Sequence, residues 1–429
     1  MELEEREIPI SELKPGMYVS RLDVPWELTS FPLQGIRIES SKDIQRLASY
    51  CQRVYIDLAR QRSAEKSVDT HSPTQAISTK KSVQSTKPAW KKHCVEKYSI
   101  STPQQKELNA CTDIMNDLER KVYHLCEHTL RCRSANVVQL LDSATQIVES
   151  VIRNPDALAW LCRVKKNRQP IHMHTMRLSV WGAIVGRQLG LNRYSITHLC
   201  GALLMTGIGK SAIPEKALGG YSPFKCSFEY KKHLQETLYQ LKQLKISDSN
   251  IYETLESYCE RIDGTGYPDG IRENTIPFLS QVCGITEAFE LLVNPYHMTR
   301  AISPAHAIFF INKFKGVLFE ETLVEEFIRA IGLYPTGTLV EISDGQLGVI
   351  IAKNHKNKFR VSVIPIINSQ GEVIQKYTVL DLSYTKSIEH TFIRKGIPSS
   401  TIPRGLLENA HHWMFKNGTS IKSLIDTLF

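Results

Sequence analysis

The chain has 429 residues, 42% of them hydrophobic and 23% charged, with a formal net charge of +9. That length predicts two to four units, each able to bury its own core, and the composition excludes a fibrous or wholly disordered chain. The positive excess suits an anionic partner, but it is spread thinly along the chain and argues against a dedicated nucleic-acid binder.

Residues 1–62 mix short alternating stretches, such as Met17-Tyr18-Val19 and Arg53-Val54-Tyr55-Ile56-Asp57, with a turn signal at Lys14-Pro15-Gly16. The pattern predicts a small α+β unit. Residues 63–89 place ten Ser or Thr and four Lys in twenty-seven positions, leaving too little apolar surface to offset the entropy of ordering. Residues 63–95 are expected to be a flexible linker.

From Ser101 the period becomes helical, with Pro103 near the first turn and Val137, Leu140, Leu141, Ala144, Ile147, Val148 and Val151 at intervals of three and four. A helical domain is expected over residues 96–335. His124, Cys126 and His128 put two imidazoles on one helical face, a spacing capable of holding zinc. No further ligand pair or acid–base partner stands near them, so surface or partly packed histidines are the better reading.

After about residue 336 the period changes to two, in Leu339-Val340-Glu341-Ile342, Val349-Ile350-Ile351 and Phe359-Arg360-Val361-Ser362-Val363. The expectation is a small antiparallel β unit over residues 336–400. Residues 401–429 read as a helical tail with Trp413 and Phe415 as docking side chains. The expected fold class is multidomain and mainly α, with a helical bundle flanked by the two small units.

Ten cysteines occur without a Cys-x-x-Cys pair, and residues 1–30 carry acidic side chains where a signal peptide needs a basic start and an apolar core. Uninterrupted apolar runs fall short of the about 18 residues that span a bilayer. Reduced thiols, a cytoplasmic location and no membrane association are therefore expected.

The most informative segment is Glu260-Arg261-Ile262-Asp263-Gly264-Thr265-Gly266-Tyr267-Pro268. Its glycines permit tight turns, Pro268 stiffens the exit and Asp263 can cap backbone N–H groups. The run resembles the signature of the HD-GYP family, bacterial hydrolases of the second messenger cyclic di-GMP, in which two adjacent histidines precede Glu-Arg-x-Asp-Gly-x-Gly-Tyr-Pro. An HD-type bundle over about residues 165–335 is the implied fold. Ile8-Pro9-Ile10, Leu13 to Val19, Leu22 to Trp26 and Val54 to Asp57 resemble the uncharacterised domain that precedes some HD-GYP domains.

The resemblance also implies a metal site, and here the chain departs from it. His174 takes the place of the first histidine ligand. The adjacent His-Asp pair corresponds to Met205-Thr206, ahead of Gly207-Ile208-Gly209-Lys210, where the turn and lysine of the motif remain. His233 follows as a retained histidine, the His-His pair becomes Tyr258-Cys259, and the last aspartate becomes Glu287. The glutamate of three-metal members falls on Pro170, and Asn294 stands where a phosphate-contacting arginine is usual. Cys259 and Glu287 are as far apart in the chain as Met205 and His233, so the register holds without large insertions.

A two- or three-metal phosphodiesterase site needs a carboxylate that bridges ions, and a threonine hydroxyl at 206 is too weak a ligand for that task. The implied function is a degenerate member acting in cyclic di-GMP signalling without catalysis, as a nucleotide sensor or a protein-interaction regulator. The alternatives are a phosphodiesterase with a reduced metal site and an adaptor that binds no nucleotide. No cofactor is expected, or at most one residual Fe or Mn ion on His174, His233 and Glu287, with Cys259 as a further candidate. Met205, Tyr258 and Cys259 are expected to fill the volume the ligands left. Lys210, Arg261, Asp263, Gly264, Gly266, Tyr267 and Pro268 are the candidate surface for cyclic di-GMP, a diguanylate cyclase or another signalling protein, with Lys210 alternatively paired to Glu287 or Asp263. A homodimer through the helical domains is expected.

Overall fold

The structure, a computed structural model, describes residues 5–22, 36–38, 40–48, 51–57, 90, 94–132, 137–164, 169–221, 226–244, 246, 248–296, 301–353, 361–382, 391–401 and 404–416. The chain divides into two compact units, Met1–Thr86 and Lys87–Phe429. The stretch expected to be a linker, residues 63–89, lies outside the described residues.

In the first unit, strands β1 (Glu5–Pro9), β2 (Tyr18–Leu22), β3 (Ile36–Arg37) and β4 (Arg53–Asp57) form an antiparallel sheet in the order β1-β4-β2-β3. Helix α1 (Ser41–Ala48) packs Leu47 into its core. The alternation of β4 works as the sequence predicts, burying Val54 and Ile56 while Arg53 stays exposed. Gly16 takes φ +94° at the Lys14-Pro15-Gly16 turn, a conformation a side chain would disfavour.

The second unit is mainly helical. Helices α2 (Gln104–Cys132), α3 (Val137–Arg153) and α4 (Pro155–Val164) pack on a central pair, α5 (Pro170–Leu189) and α6 (Arg193–Ala212). Leu140, Ala144, Ile147, Val148 and Val151 form the buried face of α3, as their spacing predicts. Pro170 opens α5 at a position that lacks an N–H demand, and Gly190 closes it at φ +78°. The one-turn α7 (Glu215–Leu218) is followed by α8 (Phe228–Gln243), α9 (Ser249–Glu256), α10 (Phe278–Val293), α11 (Pro304–Lys313) and α12 (Glu321–Ile331). Among the described residues no helix is long and apolar enough to cross a membrane.

Strands β5 (Leu339–Ile342), β6 (Leu347–Lys353), β7 (Val361–Ile367), β8 (Leu380–Asp381) and β9 (Ile393–Ile397) make an antiparallel sheet in the order β8-β7-β6-β5-β9. It belongs to the same compact unit as the helices. A buried ion pair ties the two layers, with Lys353 of β6 3.3 Å from Asp156 of α4, and Thr336 donates to the same carboxylate at 3.1 Å. Helix α13 (Arg404–Lys416) brings Trp413 edge-on to Tyr377, ring centroids 5.8 Å apart; the side chain of Phe415 lies outside the described residues.

One element departs from the sequence reading. Met205 to Lys210 is expected to end in a turn, but α6 runs unbroken to Ala212. The two glycines serve close helix packing instead. A Cβ on Gly209 would lie 2.0 Å from the His233 carbonyl oxygen, and one on Gly207 would lie 2.6 Å from Thr175 Oγ1. Helical geometry thus puts Thr206 and Lys210 on one face, four residues apart.

Candidate active site

Helices α5, α6, α8 and α10 and the segment after α9 bring the predicted residues together in the interior of the second unit. His174 sits in the second turn of α5, Met205, Thr206 and Lys210 on α6, His233 on α8 and Glu287 on α10, all of them buried. Tyr258 and Cys259 follow the end of α9 and are buried as well. Gly284 lets α10 approach closely, since a Cβ there would lie 2.6 Å from the Tyr258 carbonyl oxygen.

Lys210 is the centre of this cluster. Its ammonium lies 2.9 Å from Glu287 Oε1, 3.1 Å from Thr206 Oγ1 and 3.2 Å from His174 Nε2. An ammonium only donates, so His174 accepts through Nε2 and carries its proton on Nδ1. Thr206 donates its own hydroxyl hydrogen to the Leu203 carbonyl at 2.8 Å. Burial holds the His174 imidazole well below its ordinary range, and the neighbouring Lys210 and Arg177 push the same way. Burial alone would raise the Glu287 carboxyl, but Lys210, His233 and the Tyr230 hydroxyl outweigh it and hold that group below the usual carboxylate range.

His233 is held from both ring nitrogens. The Tyr230 carbonyl can only accept, so Nδ1 donates to it at 2.6 Å. Burial lowers the imidazole pKa to about 4, against the pull of Glu287, so the ring is neutral and Nε2 accepts from the Tyr258 hydroxyl, also at 2.6 Å. Burial also raises the Cys259 thiol far above its ordinary value, so it carries no thiolate at neutral pH.

These residues do not fit a di- or trinuclear metal cluster. The lone pairs of His174 Nε2 and His233 Nε2 accept from Lys210 and Tyr258, and Glu287 Oε1 is shared by Lys210 and the Tyr230 hydroxyl at 2.9 Å. Cluster chemistry needs those lone pairs convergent on cations, with a bridging carboxylate where Thr206 stands. Among the described residues no three His, Cys, Asp or Glu side chains gather in metal-ligand geometry. For the helical triplet, His124 is exposed, Cys126 is buried, and the side chain of His128 lies outside the described residues.

The Gly-Tyr-Pro loop is built from within. Glu260 Oε1 accepts the amide N–H groups of Asp269 at 2.8 Å and Gly270 at 3.1 Å. Asp263 accepts from the Thr265 amide at 2.9 Å, the capping role its position predicts. Gly264 has φ +80°, and a Cβ on Gly266 would lie 2.4 Å from Arg261 N. The surface assignment of Lys210 and Arg261 needs correction, because both are buried. Arg261 donates to the Glu260 carbonyl at 2.7 Å and stacks 5.2 Å over Phe319, while Lys210 takes the Glu287 pairing that stood as its alternative. Asp263, Gly264, Gly266 and Tyr267 are partly exposed and Pro268 is exposed, with Lys231 positioned 4.9 Å over the Tyr267 ring.

Two groups escape the sequence reading. Tyr230, one helical turn before His233, supplies the hydroxyl that binds Glu287. Glu290, one turn after Glu287, is fully buried and accepts from Arg177, from Trp181 Nε1 at 3.1 Å and from Asn294 at 3.1 Å. The available signal was a second carboxylate inside the apolar run of α10, since buried charges need partners. Asn294, at the position where an arginine is usual, thus serves Glu290.

The HD domain family matches residues 163–323, and the domain of unknown function DUF3391 matches residues 5–153, reaching through α2 and α3. Over 383 residues the chain is 24% identical to the cyclic di-GMP phosphodiesterase PA4108 of Pseudomonas aeruginosa, covering 88% of this chain and 89% of that protein. It is 24% identical to the cyclic di-GMP phosphodiesterase PdeB of Borreliella burgdorferi, over 50% of this chain and 57% of the relative. A cyclic di-GMP phosphodiesterase of Thermotoga maritima matches at 28% identity, over 37% of this chain and 44% of its own. Among solved structures, Bd1817, an HDG"Y"P protein from Bdellovibrio bacteriovorus, matches with a TM-score of 0.44 and 15% identity, over 76% of this chain and 98% of that one. Two family models thus match the chain in succession, DUF3391 over residues 5–153 and the HD domain over residues 163–323.

Proposed function

We propose that this chain acts in cyclic di-GMP signalling without hydrolysing the nucleotide, as a regulator that works through contacts with another signalling protein. The relatives named as cyclic di-GMP phosphodiesterases support the pathway. The observation that carries the loss of chemistry is the pairing of His233 Nε2 with the Tyr258 hydroxyl at 2.6 Å beside a Lys210 ammonium that spans Glu287, Thr206 and His174. Generating a metal-bound hydroxide requires those same lone pairs.

Protein contact is favoured over nucleotide sensing in this pocket because its two cations, Lys210 and Arg261, are buried, Lys210 engaged by Glu287, Thr206 and His174, and Arg261 turned inward against Phe319 and the Glu260 carbonyl with its buried Nε left without a partner among the described residues. The outward part of the Gly-Tyr-Pro loop, Asp263 to Pro268, is the surface proposed to meet a diguanylate cyclase or another signalling protein. No stoichiometric divalent ion is proposed for the wild-type chain, because a residual ion on His174, His233 and Glu287 would have to displace Lys210 and Tyr258 from their lone pairs.

The full-length protein, supplied with Mn²⁺ or Fe²⁺, is expected not to linearise cyclic di-GMP. Turnover that survives Lys210→Ala but is lost in His233→Ala would establish a phosphodiesterase with a reduced site instead. Calorimetry with cyclic di-GMP separates a sensor, which would bind at micromolar levels or about −8 kcal/mol, from the protein-contact regulator proposed here.

A further inference from the structure

Buried lysines are rare unless paired, and Lys210 is fully buried with three partners of different chemistry. An imidazole nitrogen, a hydroxyl oxygen and a carboxylate oxygen converge on its Nζ at 3.2, 3.1 and 2.9 Å. They come from three helices, α5, α6 and α10, so the ammonium joins elements that are distant in sequence. Nitrogen and oxygen donors of this kind are those a borderline divalent cation takes. One acceptor beside them, Glu287 Oε2, is buried and has no partner among the described residues. The donor set therefore exceeds what one ammonium satisfies.

We infer that Lys210 is a built-in cation, covalently supplied by α6, that holds the position of a metal ion among His174, Thr206 and Glu287, and that removing it exposes a single divalent-cation site on those side chains. The wild-type domain then needs no metal to keep its fold. Glu287 and His174 would be the ligands of the uncovered site, with Thr206 and solvent completing the shell. Their oxygen and nitrogen atoms need to close from about 3 Å to about 2.1 Å, which the flexible glutamate allows. This inference rests on the reading of the pocket as non-catalytic, but the two fail separately: hydrolysis by the wild-type chain refutes that reading, whereas metal content and metal response decide this one.

The test uses the full chain. Wild-type protein is expected to contain less than one divalent ion per chain by elemental analysis and to melt at the same temperature with EDTA or with Zn²⁺. Lys210→Ala leaves Glu287 buried without its counter-ion and is expected to melt about 10 °C lower. Added Zn²⁺ should raise that melting temperature by several degrees, EDTA should reverse the gain, and the His174→Ala/Lys210→Ala double variant should show no gain. A stoichiometric ion in the wild-type protein, or a fall in its melting temperature with EDTA, overturns the inference without recourse to any variant. So does a Lys210→Ala protein that responds to Zn²⁺ no more than the double variant.

Discussion

Acid should destabilise this protein through histidines that the fold keeps neutral. His233 is the clearest case, with a pKa of about 4 in the folded chain against about 6.5 when unfolded. Between those values the unfolded chain binds a proton that the folded chain does not, so stability falls as pH falls through that window and levels out below it. At pH 5 the unfolded imidazole is almost fully protonated and the folded one almost not, which costs about 2 kcal/mol relative to pH 7 from this residue alone. His174 is also held neutral by burial and by Lys210, and it adds a loss of the same sign. Urea denaturation of the full chain at pH 7 and pH 5, followed by far-ultraviolet circular dichroism, measures the sum. In His233→Gln the amide can still donate to the Tyr230 carbonyl and accept from Tyr258, so the variant should fold. Lacking the titrating imidazole, it should lose about 2 kcal/mol less than wild type between the two pH values. Equal losses in wild type and variant would refute the assignment of a neutral, twice-bonded imidazole.

Three further outcomes follow from the packing. Glu290→Ala strands the donors of Arg177, Trp181 and Asn294, and should cost about 3–5 kcal/mol in a denaturant titration, the range for removing one partner of a buried ion pair. Tyr258→Phe removes the hydroxyl that satisfies His233 Nε2 and should cost about 1–3 kcal/mol in the same measurement, whereas a neutral result would mean that the 2.6 Å contact does not hold. Gly266→Ala drives a methyl group to within 2.4 Å of backbone atoms, so the loop should move and become more readily cut by protease, at a cost of about 1–3 kcal/mol.

Much of the architecture is legible in the amino-acid sequence. Period-two runs at Arg53–Asp57 and Leu339–Ile342 became strands, and the three-and-four spacing from Leu140 to Val151 became the buried face of one helix. These readings succeed because backbone periodicity decides which side chains share a face, whatever lies opposite. The motif positions were also legible, and His174, Thr206, His233, Tyr258 and Glu287 do meet in one interior. The Gly207-Ile208-Gly209 run has the composition of a turn yet lies within a helix, because glycine has two uses, and only a neighbouring helix reveals close approach rather than a bend.

The amino-acid sequence by itself determined the order of the units, the helical character of the middle of the chain and the absence of a bridging aspartate at position 206. The tertiary structure decided what became of the charges. Whether Lys210 and Arg261 face solvent or the core is not a property of their local sequence, because a long basic side chain on a helix or loop can snorkel outward or turn inward with little change in backbone. The balance was settled by Glu287, on a helix distant in the chain from Lys210, and by Phe319 and the Glu260 carbonyl, which supply the partners that make a buried cation tolerable. Such pairings exist only once the helices have packed.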